Sequence, residues 1–326
     1  MLRFIGRRAL QAVVVVWAAF TLAFIVLYLM PSDPAQIIAS GGMMGETGSE
    51  ASEQQLADLR AELGLDRPVL AQYGSALVGT ATGQWGTSYQ TGQPVTEMLG
   101  ANLPATLAVT FSGLGIAIVV GLGLGFAATF TRFEPLRQLL LSLPSIGASI
   151  PTFWSALLLM QVFSFGLRWL PAFGNQGPSA LVLPAVALAI PVSAVLAQVF
   201  AKSLRTVMSE PYVDVVRAKG ASRSRAMLGH AVRNALLPVL TMIGMLLGAM
   251  LSGTVVIETV FARQGFGRMT VDAVNAQDIP VVMGVVVFSA IVFVVTSLLV
   301  DLVYPLLDPR IRQIGSVPRP QPVKVA

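Results

Sequence analysis

Six stretches of this chain run for more than twenty residues without an Asp, Glu, Lys or Arg: 9–32, 98–131, 138–167, 169–201, 234–257 and 279–300. The shortest holds 22 residues, and a helix of that length rises about 33 Å, enough to cross a hydrocarbon layer of about 30 Å. Lipid offers no partner to backbone N–H and C=O groups, so each stretch is read as a helix that satisfies its own backbone. The pattern predicts six transmembrane helices at 9–30, 104–130, 139–165, 179–201, 237–260 and 281–304. A seventh charge-free run, 68–96, is crowded with Gly, Gln, Thr and Ser and is rejected as a span. The expected fold class is an all-α polytopic membrane protein.

The first span follows Arg3, Arg7 and Arg8. Its apolar run is longer than a secretory h-region and ends at Met30–Pro31 without a small-residue cleavage site, so it reads as an uncleaved anchor, residues 1–30. Residues 31–103 form an outer segment that opens with the turn Pro31–Pro34 and the flexible Gly41–Gly45. An amphipathic helix from Ser52 to Leu63 is expected there, with Leu56, Leu59 and Leu63 on one face and Gly64 as its cap. The remainder, to Pro94, reads as irregular. The core, 104–310, holds the other five helices, and 311–326 reads as a disordered cytoplasmic tail. Gly113, Gly115, Gly121, Gly123 and Gly125 predict close helix packing at the centre of the bundle. Pro144, Gly147 and Pro151 in the third helix, and Pro184 and Pro191 in the fourth, predict two kinked neighbours. Such a pair either lines a pathway or packs as ordinary kinked helices.

Composition agrees with this picture: 326 residues, 55% hydrophobic and 11% charged, where soluble domains carry about 25% charge. Sixteen of the 21 basic residues lie at the N-terminus, in the 132–138 turn, in the 202–238 loop and in the C-terminal tail, which places both termini in the cytoplasm. That topology accounts for the basic balance, and no nucleic acid is inferred from it. The absence of cysteine excludes disulfides and thiolate chemistry. None of the three lysines follows a glycine and there is no phosphate-binding loop, so this chain is not expected to hydrolyse ATP. His230, the only histidine, lies in the basic loop away from any carboxylate pair and is read as buried or interfacial. No catalytic residue and no metal site are expected. Glu258 and Asp301 sit near helix ends and are assigned to hydrogen bonding or the headgroup layer. Gln161 and Gln198 lie deeper and face either a partner helix or the pathway, which makes them the candidate pathway residues.

The loop 202–238 carries seven basic residues against Glu210 and Asp214. Pro211 suits a helix first turn, and Tyr212, Val215, Val216 and Lys219 then fall on one face before Gly220 stops the helix. Ser222 is expected to cap a second helix, in which Leu228, Val232 and Ala235 align, and Leu236-Leu237-Pro238 to start the fifth span. A short helix with a Tyr/Val face suits docking into a partner's groove. The alternative is a basic loop lying on anionic headgroups.

Asp214-Val-Val-Arg-Ala-Lys-Gly220 resembles the EAA signature of ABC importer permease subunits: glutamate, two alanines, three residues, then glycine. Asp here replaces the glutamate, Val-Val the two alanines, and the stretch to Pro238 is longer than in the general pattern. The fuller string RAKGAS…GHAVRNALLPV is similar to the dipeptide/oligopeptide/nickel subgroup, in particular the first permease of its pair. LGLDRPVLAQY (63–73), NLPATLAVT (102–110), IPTFW (150–154), ETVFARQGFGRMTVDAV (258–274) and DLVYPLLDPRIR (301–312) agree in order along nearly the whole chain.

That resemblance implies the type I ABC importer permease fold with six transmembrane helices, as a multi-pass protein of the bacterial plasma (inner) membrane. It implies four kinds of partner: a homologous second permease, two ABC ATPase subunits or one fused ATPase, an extracytoplasmic substrate-binding protein, and membrane lipid. ATP and Mg belong to the ATPases, and this chain carries no cofactor. The coupling helix would be Glu210 to Gly220, with Tyr212, Asp214, Val215, Val216, Ala218 and Gly220 as contact or shaping residues. The implied cargo is di- or oligopeptides, with nickel chelates or haem as the alternative. An ion-coupled secondary transporter would need a midplane carboxylate or a broken helix pair, and an intramembrane hydrolase a His or a carboxylate pair within the spans. The charge-free stretches show neither.

Overall fold

The computed structural model describes residues 2–29, 34–39, 53–62 and 64–307. The Gly41–Gly45 stretch and the 311–326 tail lie outside the described residues, as does the side chain of Asp301. In chain order the helices are α1 (Leu2–Leu29), α2 (Pro34–Ala39), α3 (Glu53–Glu62), α4 (Val69–Ala81), α5 (Val95–Phe130), α6 (Glu134–Ser149), α7 (Thr152–Leu159) and α8 (Ser179–Met208). They continue with α9 (Pro211–Ala218), α10 (Arg223–Ala226), α11 (Val232–Val260), α12 (Phe266–Asn275) and α13 (Ile279–Leu307). π-helical turns follow α7 at Met160–Gly166 and α10 at Met227–Ala231.

α1, α5, α8, α13 and the run Arg223–Val260 are each long and apolar enough to cross a membrane. The third expected span is not one rod but α6 and α7 joined at a bend of 102°. Pro151 is the cause: it disfavours helical backbone at the residue before it, and Ile150 is extended at φ −81°, ψ 122°. The expected kink is therefore a break. The bent pair still traverses the bundle. Arg137, in the first turn of α6, shares a hollow with Arg205 and Arg223 at one end. Beyond the π-turn, the Gly174 N–H donates to the Phe261 carbonyl (3.1 Å) and Asn175 Nδ2 to the Gln264 carbonyl (2.6 Å) at the other end. Six crossings result. The arginine-rich end is called the basic end below, and the opposite one the outer end.

α8 is the axis of the fold. Two thirds of its span (67%) is buried, against 6% of α1. α5 lies along α8 on a face of glycines: a Cβ at Gly113, Gly121 or Gly125 would sit 3.1, 2.8 or 2.9 Å from the carbonyl oxygens of Ala185, Ser193 or Ala197. Gly115 and Gly123 meet open space, so the packing role expected of five glycines falls to three. Val109, Leu114, Leu188, Leu196, Phe200, Met250 and Ile257 fill the core around this contact. Pro184 and Pro191 stay inside an unbroken helix and Pro184 is buried. Of the two proline-bearing neighbours, only the third span is broken.

Three boundaries differ from expectation. α5 starts at Val95 rather than 104, because Pro94 is extended and Val95 is buried, so the helix begins where the loop docks, and Pro104 lies within it. The stretch before Gly83 is not irregular: α4 is a 13-residue helix. Its Tyr73 stacks edge-on against Phe20 and Phe24 of α1 (centroids 5.6 and 5.3 Å) and shares a 2.8 Å hydrogen bond with the Thr21 hydroxyl. At about 20 Å it is too short to cross a bilayer. The fifth span does not start at Leu236-Leu237-Pro238, because α11 is already helical from Val232 and contains Pro238. The amphipathic helix is found as α3, with Leu56 and Leu59 half-buried and Leu63 outside the described residues. Gly64 ends that helix in the left-handed region at φ +68°.

Candidate functional site

At the basic end, α9 hangs between α8 and α10. Glu210 is its extended N-cap and Pro211 its first residue, where a missing N–H leaves no bond unmade. The helix ends in a Schellman motif: the Ala221 N–H donates to the Val216 carbonyl (3.3 Å) and the Gly220 N–H to the Arg217 carbonyl (2.9 Å). Gly220 takes φ +90°. Ser222 caps α10, its hydroxyl accepting from the Arg225 N–H at 3.3 Å. These local features are as the sequence predicts.

The division of faces is sharper than the periodicity shows. Val213 is the buried anchor of α9 at 1% exposure, and Val216 is half-buried. Tyr212 (37% exposed) and Val215 (55%) face outward with Asp214, Ala218 and Lys219. Val216 therefore belongs with Val213 rather than with the outward stripe, and Val213 was missed. Its i+3 spacing to Val216 was the available signal. The Tyr212 hydroxyl accepts from Asn234 Nδ2 at 3.1 Å, which ties α9 to the foot of α11. The expected alignment of Leu228, Val232 and Ala235 fails because the π-turn shifts the register. Met227, Ala231 and Ala235 are buried while Leu228 is 60% exposed. His230 is exposed on that turn rather than buried. Among the described residues no group of three or more His, Cys, Asp or Glu could hold a metal ion.

At the outer end, α11, α12 and α5 meet on one carboxylate. Glu258 is fully buried. It accepts from the Thr106 hydroxyl (2.5 Å), the Gly267 N–H (2.8 Å) and the Arg268 N–H (3.1 Å), while the Phe266 N–H donates to Thr106 Oγ1 (2.8 Å). The first N–H groups of α12, orphaned in any helix, are thus capped by side chains from two spans. Gly265 and Gly267 are required for this approach: a Cβ at the first would lie 2.4 Å from the Glu258 carboxyl carbon, and at the second 2.5 Å from Val255 Cα. Glu258 is therefore a structural cap, in line with the helix-end role read from sequence. Nearby, Arg263 Nη1 donates to the carbonyls of Gly174 (3.0 Å) and Ala180 (2.9 Å), pinning the 166–178 connection to the α11–α12 turn.

The Gly-rich loop before α5 closes over the same end. Buried Asp278 accepts from the Ser88 hydroxyl (2.5 Å) and the Tyr89 N–H (3.2 Å). Burial, and after it the Asp278 charge, pushes the Tyr89 phenol above its ordinary 10.0. Between loop and α12 opens a cavity of about 450 Å³ bordered by Gln90, Asn102, Gln264, Arg268 and Asp272. Arg268 and Asp272 pair across its rim at 3.6 Å. Of the candidate pathway residues, Gln161 lies on the π-turn near the outer end and Gln198 on the basic half of α8. Both are exposed, and the fold places them in opposite halves of the bundle.

Residues 117–313 match the family described as binding-protein-dependent transport system inner membrane component, and residues 1–110 its N-terminal companion. The glutathione transport system permease protein of Salmonella paratyphi A is 35% identical over 312 residues, covering 96% of this chain and 99% of that protein. The dipeptide transport system permease protein of Alkalihalophilus pseudofirmus is 33% identical over 340 residues, covering 96% and 100%. Among solved structures, an inward-facing conformation of the MetNI methionine ABC transporter superposes with a TM-score of 0.54 at 17% identity, over 65% of this chain and 97% of that one. A second, an amino acid ABC transporter, superposes with a TM-score of 0.51 at 19% identity.

Proposed function

Since this chain belongs to the binding-protein-dependent transport system inner membrane components, as a multi-pass ABC importer permease of the bacterial inner membrane, we propose that it imports di- or oligopeptides. It forms half of the translocation path beside a homologous second permease. The basic end faces the cytoplasm, in keeping with its excess of Lys and Arg. Two ABC ATPases, or one fused ATPase, dock there and handle ATP and Mg, and this chain catalyses nothing. A substrate-binding protein delivers cargo at the outer end. The peptide assignment draws on relatives named for glutathione and dipeptide transport.

One observation carries the coupling role: an eight-residue helix leaves Tyr212 and Val215 exposed on its outward face among the described residues, while Val213 anchors it from behind. Its glycine stop and the Tyr212–Asn234 bond hold it against α10 and α11. A displacement of α9 by a closing ATPase dimer is thereby passed to the fifth span, which at its far end carries the Glu258 cap of α12. Both ends of the path respond to one push. Glu210, Asp214, Ala218 and Lys219 border the contact, while Val216 and Gly220 shape it.

A secondary transporter is the contrasting reading, and α6–α7 does supply a broken helix. No ionisable side chain lies in 138–167, so the break offers no ion-binding carboxylate. Reconstitution of the chain with its partners in liposomes separates the two. Uptake of a labelled dipeptide that requires enclosed ATP and is lost in Tyr212→Ala/Val215→Asp supports the proposal. Uptake by this chain alone under an ion gradient refutes it.

A further inference from the structure

A second feature of the basic end is not used by coupling. Four arginines from separate elements converge on one hollow of about 390 Å³: Arg132 in the α5–α6 turn, Arg137 on α6, Arg205 on α8 and Arg223 at the start of α10. Glu134 pairs with Arg137 at 3.1 Å, which leaves an excess of positive charge. Arg223 Nη2 is held by the Thr129 carbonyl (3.1 Å) and Arg205 Nε by the Ala201 carbonyl (3.3 Å). Each of these bonds uses one of the five N–H donors of a guanidinium and fixes the group in place. Planar donor forks of this kind match phosphate oxygens.

A second cavity adjoins this one at Arg205. It is a narrower crevice of about 250 Å³ in the span region between α5, α6 and α8. Its walls are mainly apolar, including Ala128, Leu140, Leu141, Pro144, Ala197 and Ala201, with Gln198 and Lys202 as the polar exceptions. Gly125 lines it as well, at the place where α5 packs directly on the backbone of α8. A cationic mouth at the end of the spans, opening into an apolar slot within them, is amphipathic in the sense of a lipid.

We propose that this composite hollow binds one anionic phospholipid, its phosphate among Arg132, Arg137, Arg205 and Arg223 and an acyl chain in the α5–α6–α8 crevice. Free phosphate shares the headgroup chemistry, and the crevice is what favours the lipid. Basic pockets between transmembrane helices are recurrent headgroup sites. Because Arg223 directly follows the α9–α10 turn, the lipid bridges the coupling segment to the α5–α6 turn and steadies one against the other.

Native mass spectrometry of the full assembled transporter tests this, with phosphatidylglycerol and phosphatidylethanolamine as probes. Phosphatidylglycerol is expected to be retained in preference. Arg205→Gln/Arg223→Gln is expected to lose that retention by about fivefold for each arginine removed, while Arg7→Gln, at the remote N-terminus, keeps it. Arg132→Gln, at an exposed turn position, supplies the reading should the double variant fail to assemble. Millimolar inorganic phosphate should leave the lipid bound. Equal retention by the arginine variants and the parent overturns the site, and displacement of the lipid by inorganic phosphate reassigns it to a free anion and overturns the lipid.

Discussion

Replacement of Gly220 probes α9, the proposed coupling helix, through its backbone conformation. The residue sits at φ +90°, and a Cβ built on it meets no atom within 4 Å. Within this chain bulk therefore has nothing to strike, and the effect on the helix itself comes from forcing an L-residue into a left-handed backbone, about 1–2 kcal/mol. Asn tolerates that region better than Ala, and β-branched Val worse. Since about 1.4 kcal/mol is a tenfold change in an equilibrium, Gly220→Ala should shift the closed Schellman cap towards an unwound one by about tenfold. The expected rank of ATP-driven dipeptide uptake in proteoliposomes is Gly, Asn, Ala, then Val, with Val close to background. Immunoblots should show equal amounts of all four in the membrane. Leu supplies the decisive comparison, because it differs from Ala in bulk but little in backbone preference. Equal losses in Ala and Leu support the conformational reason. A loss that grows with side-chain size, or full uptake by Val, refutes it.

Glu258→Ala strips the acceptor from three donors at the α12 junction; at about 1–3 kcal/mol for each buried donor left unpaired, a loss of at least about 3 kcal/mol is expected. Glu258→Gln, which keeps one carbonyl acceptor, should lose visibly less in thermal unfolding of the purified complex; equal losses would contradict the capping role. Gly121→Ala places a Cβ 2.8 Å from the Ser193 carbonyl oxygen, whereas Gly123→Ala meets open space. The first should destabilise by about 1–3 kcal/mol and the second be neutral or stabilising by up to about 1 kcal/mol through helix propensity. Matching melting temperatures for the two would argue against the α5–α8 contact.

The spans were legible because lipid forces every crossing segment into a self-satisfied helix and excludes charge, so the charge-free runs are close to a direct image of them. α9 was legible for a local reason: Pro211 and Gly220 act through their own backbones. What escaped was settled by neighbours. α4 is glycine-containing and short, and its helix is fixed by Tyr73 docking on Phe20 and Phe24 of α1. α12 looks like loop in sequence until Glu258 and Thr106 supply its cap from two other helices. Val213 reads as one more valine until the fold shows that its side of α9 faces inward. The break at Ile150–Pro151 was visible as a proline, but its 102° angle was not.

The chain has no cysteine, so Val215→Cys introduces a unique thiol on the outward face of α9. In the assembled transporter, treated with a short thiol-reactive cross-linker, that thiol should form a covalent adduct with an ATPase subunit. Leu10→Cys, on the exposed side of α1, should form none. An ATPase adduct at residue 215 that strengthens when nucleotide closes the ATPase dimer is the expected result. A thiol at 215 that never joins an ATPase, in a complex that still transports, would contradict the account.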